Sequence, residues 1–342
     1  MATYKGIQGY SIRSLSSDPD TPSDVVGQVW YNSSTGKFKL AAQGAAAWSS
    51  GGALKTAKGG AGCAGTATAA IIFGGQNTQT PALLNETEIY DGTAWTETNN
   101  LNTARREVGT MGTVNTAVVC AAGGAGPPGT QQRTETWNGT SWAEGNNMTR
   151  AREGMQGFGT STAGVCAGGI VNPGATAYKD VETYDGTSWT EEGDLNTYQE
   201  QGTSGGSSTA GIVYGGYDSS GPPWTDTAAT QIYDGTSWAA GNNMSRSPVQ
   251  TSYLSGFGDT TAAVACGGGY PARTTVEVYD GTSWAAGTAM TTARRGSMGN
   301  HTGNGSIATG LGAGGYNPAD ATITTTEEYA NAPVTVKTVT VS

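Results

Sequence analysis

The phrase Tyr-Asp-Gly-Thr-Ser-Trp returns about every 47 residues, and this period constrains the architecture more than any other feature. The phrase and its close variants begin at Tyr90, Trp137, Tyr184, Tyr233 and Tyr279. From Trp95 to Trp284, the Trp residues that end them are separated by 47, 47, 49 and 46 residues. A fixed period of this size is typical of a propeller or a solenoid built from one repeated supersecondary unit.

Each repeat reads as short strands separated by turns. A glycine-rich stretch leads into an apolar run that ends in Gly-Gly, as at residues 71–75, and a loop of variable length follows. Then comes Thr-Glu-x-Tyr, followed by Asp-Gly or Asn-Gly, which tolerate the positive φ of a two-residue hairpin turn. The return strand carries the Trp. Apolar residues do not recur at helical spacing, so we expect about four antiparallel strands per repeat, which is one propeller blade.

This order of motifs resembles the kelch repeat. The residues that define that family are the Gly-Gly closing the second strand, the spaced Tyr and the Trp on the fourth strand. They recur here in order from about Trp48 to Tyr329, with Trp137 departing from the pattern. The resemblance implies a β-propeller. It also implies that the segments connecting one blade to the next open onto one face near the central channel, where kelch proteins often bind partners.

The number of repeats predicts how the fold closes. Six apolar runs end in Gly-Gly, but only five Trp residues follow an Asp-Gly or Asn-Gly turn. Residues 48–58 match residues 284–294 position for position, and Trp48 lies 47 residues before Trp95. We therefore predict an all-β, six-bladed kelch-like β-propeller over residues 43–330, with its last blade closed by the strand at Trp48. The rival assignment gives that outer strand to residues 334–341.

Residues 1–42 are predicted to form an N-terminal arm. An Asp-Pro-rich stretch precedes Gly-Gln-Val-Trp-Tyr-Asn at residues 27–32, which predicts a β-hairpin. These segments resemble parts near the start of tailed-bacteriophage fibre and other virion proteins. The resemblance implies an anchoring role, with Trp30, Tyr31 and Phe38 as candidate anchoring residues. The alternative is a hairpin that caps the propeller.

Residues 331–342 are predicted to form a C-terminal tail strand, because Val alternates there with Thr or Lys. Such a strand can add to an exposed sheet edge of another subunit. The alternative is an ordinary edge strand within the same chain.

Composition excludes several classes of function. A net charge of −10 argues against binding to a nucleic-acid backbone. The first ten residues lack the apolar centre of a signal peptide, and no apolar run is long enough to insert into a membrane. We expect buried, structural roles for Cys63, Cys120, Cys166 and Cys266, and His301 is the only histidine. No metal site and no cofactor are therefore expected.

The position four residues after the Leu or Met of the fourth strand is basic in four of the six repeats. The repeat position holds Lys58, Arg105, Arg152, Gln199, Pro248 and Arg294, and Arg106, Arg150, Arg246 and Arg295 lie close to it. The sequence predicts a ligand or partner face, since guanidinium groups bind carboxylates, sulfates and phosphates in bidentate fashion. The alternative is that these residues pair with the repeat glutamates Glu88, Glu135, Glu182 and Glu277 and fasten neighbouring blades.

The variable loops after Gly-Gly form a second candidate surface, because loops on a rigid scaffold commonly carry recognition. Tyr217, Trp224 and Tyr270 stand in these loops together with Pro127, Pro128, Pro173, Pro222 and Pro271. The rings of Trp224 and Tyr217 can stack on sugar rings or pack on the base of the loop.

Together these patterns predict a non-enzymatic structural virion protein of a tailed bacteriophage. We expect it to be made in the host cytoplasm and to be oligomeric within the particle. Its partners would be other virion subunits and a host-surface glycan or protein. A non-viral kelch-type interaction scaffold is the alternative. A carbohydrate-active propeller enzyme is disfavoured, because no paired-carboxylate site is evident and the repeat aspartates lie in turns.

Overall fold

The computed structural model describes most of the 342-residue chain. The described residues are 12–21, 25, 27–80, 82–126, 129–172, 176–221, 223–246, 249–296, 298–299, 307–331 and 334–340. The regular structure is β-strand, and the chain divides into two compact units. The larger unit is Trp48–Ala330, and the smaller combines the chain up to Ala47 with the chain from Asn331. No helix in the described ranges is long and apolar enough to cross a membrane.

The described part of the larger unit contains six four-stranded sheets, named I to VI in chain order. Sheet I consists of Gly62–Thr66, Ala69–Phe73, Thr87–Tyr90 and Trp95–Thr98. Sheet II consists of Gly109–Val114, Ala117–Gly124, Thr130–Trp137 and Trp142–Glu144. Sheet III consists of Gln156–Thr160, Ala163–Ala167, Val181–Tyr184 and Trp189–Glu192.

The later sheets repeat this order. Sheet IV consists of Thr203–Ser207, Ala210–Tyr214, Thr230–Tyr233 and Trp238–Ala240. Sheet V consists of Ser255–Gly258, Ala263–Cys266, Val276–Tyr279 and Trp284–Ala286. Sheet VI consists of Met298–Gly299, Thr309–Ala313 and Thr326–Ala330, and its fourth strand is Ala47–Ser50.

Three of the loops between the second and third strands carry a small two-stranded hairpin. These hairpins pair Gln76–Asn77 with Ala82–Leu83, Ile170–Val171 with Thr176–Ala177, and Tyr217–Asp218 with Thr225–Asp226. Single backbone bridges join the loops to the segments that lead into the first strands, as between Glu153 and Ile170. The variable loops and the connections between sheets therefore lie side by side.

The repeated phrase forms the turn between the third and fourth strands. In sheet I the Asp91 carboxylate accepts hydrogen bonds from the backbone N–H groups of Thr93 and Ala94, both at 2.8 Å. Tyr90 and Trp95 face each other across this turn with ring centroids 4.8 Å apart. Four other sheets repeat the aromatic pair. In sheet VI the corresponding pair is Tyr329 and Trp48, with centroids 5.1 Å apart.

The hydrophobic core lies between the sheets. One buried cluster joins Phe73 of sheet I to Trp142 of sheet II, and another joins Leu311 of sheet VI to Trp95 of sheet I. The first strands of consecutive sheets are in contact, and the first strand of sheet VI also contacts that of sheet I. All four cysteines are buried free thiols, and burial raises the pKa of each to about 12.

The smaller unit is one four-stranded sheet, which we call the arm sheet. Its strand order is Arg13–Leu15, Val29–Asn32, Lys37–Gln43 and Val334–Thr338. The second and third strands form the hairpin expected from the sequence, and the first strand runs parallel to the second. The tail strand pairs antiparallel with Lys37–Gln43. It therefore does not supply the fourth strand of sheet VI, which was the rival assignment.

Candidate functional site

The repeat cations lie inside the fold. Four have fully buried side chains, and each pairs with a glutamate on the third strand of the sheet that follows: Lys58 with Glu88, Arg105 with Glu135, Arg152 with Glu182 and Arg294 with Glu327. The N–O distances are 3.0 Å for Lys58, 2.9 Å for Arg152 and 2.8 Å for Arg294. These cations face their glutamates and are not presented to a ligand at the surface.

Backbone groups complete each pair. Arg152 Nη1 donates to the carbonyl oxygens of Gly168 at 2.9 Å and Asp180 at 2.5 Å. Glu135 accepts from the backbone N–H groups of Asn102 at 2.8 Å and Thr103 at 3.3 Å. The glutamate therefore holds the segment that connects two sheets. This is the physical reason for revising the expected ligand face, since a buried charge needs an opposite charge and further hydrogen bonds.

In two repeats, other residues make the contact between the connecting segment and the third strand. Before sheet IV, Gln231 Nε2 donates to Gln199 Oε1 at 2.6 Å, and Gln199 Nε2 donates to the carbonyls of Gly215 and Ala229. Before sheet V the cation is Arg246, which pairs with Glu277 at 2.9 Å and is buried. Pro248, which stands at the repeat position there, lies outside the described residues.

The remaining cations are nearer the surface. Arg106 donates from Nη1 to Gln76 Oε1 and lies beside Glu107. Arg150 pairs with Asp180 at 2.9 Å and lies 4.2 Å from the ring centroid of Tyr178. Arg295 pairs with Asp320 at 2.7 Å. Each of these guanidinium groups already has an acceptor within the chain.

The loop aromatics differ in exposure. Tyr270 is 62 % exposed and Trp224 is 42 % exposed. Tyr217 is half-buried, and its ring packs edge-on against Tyr253 with centroids 6.2 Å apart. Pro127, Pro128, Pro173 and Pro222 lie outside the described residues. Tyr270 and Trp224 are therefore the loop rings that are available to a ligand, whereas Tyr217 packs within the fold.

Six residues at corresponding positions of the repeats share one backbone conformation, and we call them the collar residues. They are Gly60, Glu107, Gly154, Gln201, Tyr253 and Gly296, with φ between +52° and +69°. Five backbone hydrogen bonds of 2.6 to 3.0 Å connect five of the six neighbouring pairs, including one from Gly60 N to Gly296 O. Non-glycine residues are uncommon in this conformation, and when they occur they cluster at functional sites.

A cavity of about 100 Å³ lies against the collar residues. Its lining adds Thr110, Gln156, Thr203 and Ser204 from the first strands. Gln201 Nε2 donates to Glu107 Oε2 at 3.0 Å, so two collar side chains meet at this cavity. The volume holds several water molecules and is too small for a drug-sized ligand.

Three carboxylates interact electrostatically in this region: that of the collar residue Glu107 and those of Glu153 and Glu200. Glu153 accepts from Asn172 Nδ2 at 3.0 Å, whereas Glu200 is 1 % exposed and its Oε2 has no hydrogen-bond partner in the described chain. Burial, and then the charges of Glu107 and Glu153, raise the pKa of Glu200 to about 8. Burial also raises the pKa of Glu107.

Sequence reasoning missed this cluster of three carboxylates. Its signal is a carboxylate directly after the repeat position, at Glu153 and Glu200.

The described residues contain no cluster of His, Cys, Asp and Glu side chains with the geometry of a metal site. The aspartates of the repeated phrase are engaged with backbone N–H groups of their own turns, as at Asp185 and Asp234.

In the arm sheet, the candidate anchoring residues divide between the two faces. Trp30 is buried, and its Nε1 donates to Asp18 Oδ1 at 3.1 Å. Tyr31 and Phe38 are a cross-strand pair on the other face, with ring centroids 5.3 Å apart. Phe38 and Val29 are both 42 % exposed. Trp30 therefore stabilises the arm sheet, and Phe38 is the ring open to contact.

No protein-family model matches the chain, and no curated protein matches it. Among solved structures, the chain is similar to the one titled "Structure of YjhT", with a TM-score of 0.68 and 13 % sequence identity. The match covers 83 % of this chain and 99 % of that one. At this identity the likeness bears on the fold alone. With the four-stranded antiparallel sheets it supports an all-β, propeller-like fold, as the sequence predicted.

Proposed function

We propose that this chain is a non-enzymatic structural virion protein of a tailed bacteriophage. In this proposal a closed six-bladed kelch-like propeller carries the recognition surface, and the arm sheet serves assembly. The sequence motifs of the arm motivate the virion assignment.

Closure of the propeller is supported by three observations at the junction of the first and last sheets. Ala47–Ser50 is the fourth strand of sheet VI, and Trp95 Nε1 of sheet I donates to Thr326 Oγ1 of sheet VI at 2.9 Å. The collar adds the backbone bond from Gly60 to Gly296. A closed propeller leaves only the short, protected edges of its outer strands, which limits edge-to-edge aggregation.

The observation that carries the assembly role is the arm sheet itself. It is a compact unit of its own, and one of its faces presents Val29, Tyr31 and Phe38 with two of the three side chains exposed. Exposed apolar groups of this kind are commonly covered by another protein. A neighbouring virion subunit is the partner that the proposal assigns to this face.

The test is mass spectrometry and electron microscopy of purified phage particles from cells that carry the gene. We expect the chain to co-purify with the particles. The variant Phe38→Ser should lower its incorporation, and Trp224→Ser, which changes an exposed ring of the larger unit, should not. If the chain is absent from the particles and is found in the cytosol bound to a cellular protein, the virion role is contradicted and the kelch-type scaffold is favoured.

One observation favours a second candidate function, a carbohydrate-active enzyme. Glu200 has the raised pKa of a general acid and lies near two further carboxylates. Its burial opposes this assignment, because a catalytic acid must reach a substrate. Hydrolysis of a glycan that is abolished in Glu200→Gln would favour the enzyme over the structural protein.

A further inference from the structure

Tyr270 has the largest exposed fraction among the large hydrophobic side chains of the described residues. It lies in the loop between the second and third strands of sheet V. Its hydroxyl donates to Asp320 Oδ2 at 2.5 Å, in the corresponding loop of sheet VI. An exposed ring that is tied to a neighbouring loop keeps one orientation, whereas a free surface tyrosine samples several.

Asp320 is itself held in place. The Asn317 side chain accepts from the backbone N–H groups of Ala319 and Ala321, at 2.9 and 3.1 Å, and Asp320 takes a φ of +60°. Arg295 Nη2 donates to Asp320 Oδ1 at 2.7 Å. The hydrogen bond from Tyr270 and then that from Arg295 lower the pKa of Asp320. The side chain is therefore an anion at neutral pH, and 41 % of it is exposed.

Arg295 supports the Tyr270 ring. Its guanidinium carbon lies 4.9 Å from the ring centroid of Tyr270, 4.9 Å from that of Tyr253 and 4.8 Å from that of Tyr316. The guanidinium covers one face of the Tyr270 ring, and the high exposure of the residue leaves the other face open to solvent. The ring, the cation and the carboxylate form one hydrogen-bonded unit.

From this arrangement we propose that Tyr270 is a stacking platform for an uncharged pyranose ring. The C–H face of the sugar packs on the open face of Tyr270, and a sugar hydroxyl donates to the exposed carboxylate of Asp320. The inference rests on the proposed role of this surface in recognition and names the ligand class for it. Because the platform is already ordered, binding does not have to order the ring, which is a usual cost of recognition.

Charge decides between neutral and acidic sugars. Arg295 and Asp320 neutralise each other, so the site offers no net positive charge. The net charge of −10 on the protein also disfavours the approach of anions. A neutral hexose is therefore favoured over a uronic or sialic acid.

The experiment uses the full chain and saturation-transfer-difference NMR. The probes are methyl glucopyranoside, methyl galactopyranoside, glucosamine, glucuronic acid, sialic acid and a lysine-containing peptide. We expect saturation transfer to the C–H protons of at least one neutral glycoside and none to the acids. Absence of binding to both neutral glycosides overturns the proposal, and so does binding of only the acids, the amino sugar or the peptide.

Variants then locate the binding. Tyr270→Ala should weaken the affinity for the bound glycoside roughly tenfold, which corresponds to one lost aromatic contact. Tyr270→Phe should weaken it less, because it keeps the ring and removes the bond to Asp320. Asp320→Asn tests the acceptor without removing the ring. An unchanged affinity in both Tyr270→Ala and Asp320→Asn overturns the assignment.

The matched control is Tyr178→Ala. Tyr178 lies in the loop of sheet III under Arg150, which pairs with Asp180, so it repeats the Arg–Tyr–Asp chemistry with a less exposed ring. This variant should bind the glycoside like the native chain. Failure of sugar binding is distinguishable from failure of the virion role, since particle incorporation is measured independently and depends on the arm sheet.

Discussion

At the scale of single residues, repetition shows what each side chain does. The indole N–H groups of Trp95, Trp142, Trp189 and Trp284 each donate to a threonine hydroxyl on the third strand of a neighbouring sheet. Trp238 faces Val181 at that position, and its Nε1 is buried without a partner in the described chain. A buried donor without an acceptor costs about 1 to 3 kcal/mol.

The change Val181→Thr should therefore stabilise the protein. It adds a hydroxyl in the place where four other repeats have one, and we expect the free energy of unfolding to rise by about 1 kcal/mol. Urea denaturation followed by tryptophan fluorescence measures it. The control is Val276→Thr, because Trp48 Nε1 already donates to Thr288 O at 2.9 Å. That variant should lose stability, and equal losses in both would contradict the interpretation.

The raised pKa of Glu200 predicts that the protein loses stability as the pH rises. Its pKa in the folded protein is about 8, against an ordinary value of 4.5 in the unfolded chain. Between these values the unfolded chain releases the proton and the folded chain keeps it, so the folded state loses stability as pH rises. Through this group alone, the free energy of unfolding falls by up to about 1.4 kcal/mol per pH unit.

The variant Glu200→Gln removes this titration. Its stability should exceed that of the native protein at pH 9, and the difference should shrink towards pH 5. Urea denaturation at both pH values measures it. Glu97→Gln, at an exposed position of sheet I, is the control and should leave the pH dependence unchanged. A native protein whose stability does not fall between pH 5 and pH 8 relative to Glu200→Gln would refute the assignment.

At the scale of elements, the cation–glutamate pairs hold each connection to the sheet that follows. Breaking a buried pair by removing one partner costs about 3 to 5 kcal/mol, because the other charge stays buried. The chain contains its own uncharged version of this contact in Gln199 and Gln231. The contact therefore needs matched partners more than it needs charge.

The double variant Arg152→Gln with Glu182→Gln copies that amide pair into sheet III. Each single variant should lose about 3 kcal/mol of unfolding free energy, and the double variant should lose less than the sum of the two. A double-mutant cycle with chemical denaturation measures the coupling. Additive losses would show that the two side chains act independently.

The sequence predicted the strands well and the environments of side chains less well. The period of the Tyr and Trp phrase indicates which residues are equivalent, and strand bounds such as Thr87–Tyr90 and Trp95–Thr98 follow the turn signal between them. The period does not indicate whether Arg105 points inward. The cluster of Glu107, Glu153 and Glu200 was missed, since it forms only where three repeats come together.

The arm sheet was predicted only in part, because one of its strand pairings joins segments that are distant in sequence. Its hairpin follows from local sequence, because Asn32 and Gly36 bound the turn between two alternating strands. The pairing of Val334–Thr338 with Lys37–Gln43 joins segments almost 300 residues apart, and no local pattern encodes such a partner. The alternating valines predicted a strand without predicting its neighbour.

At the scale of the whole larger unit, the proposed closure makes the strand at Trp48 part of the last sheet. Trp48 packs on Tyr329, and Gly51 N donates to Thr326 O at 2.9 Å. Loss of this strand would expose the edge of Thr326–Ala330 and one side of the Tyr329 ring. It would therefore affect the sheets on both sides of the junction.

Two truncated chains test this closure. Residues 47–330 keep the strand and should unfold in one cooperative thermal transition. Residues 53–330 lack it and should unfold at a lower temperature, with early proteolytic cleavage between residues 307 and 330. Trp48→Ala in the longer fragment should cost about 3 to 5 kcal/mol. Equal melting temperatures for the two fragments would show that the strand does not close the fold.

The shared backbone geometry of the collar residues determines which side chains can vary at these positions. Its six positions share one backbone geometry, and three of them already carry a side chain there in place of glycine. At Gly60 the nearest atom to an added Cβ is Glu107 Cγ at 3.4 Å, which is ordinary contact. The side chains at Glu107, Gln201 and Tyr253 can therefore vary while the strand pairings are preserved, whereas a side chain at Gly60, Gly154 or Gly296 adds the backbone strain of a positive φ.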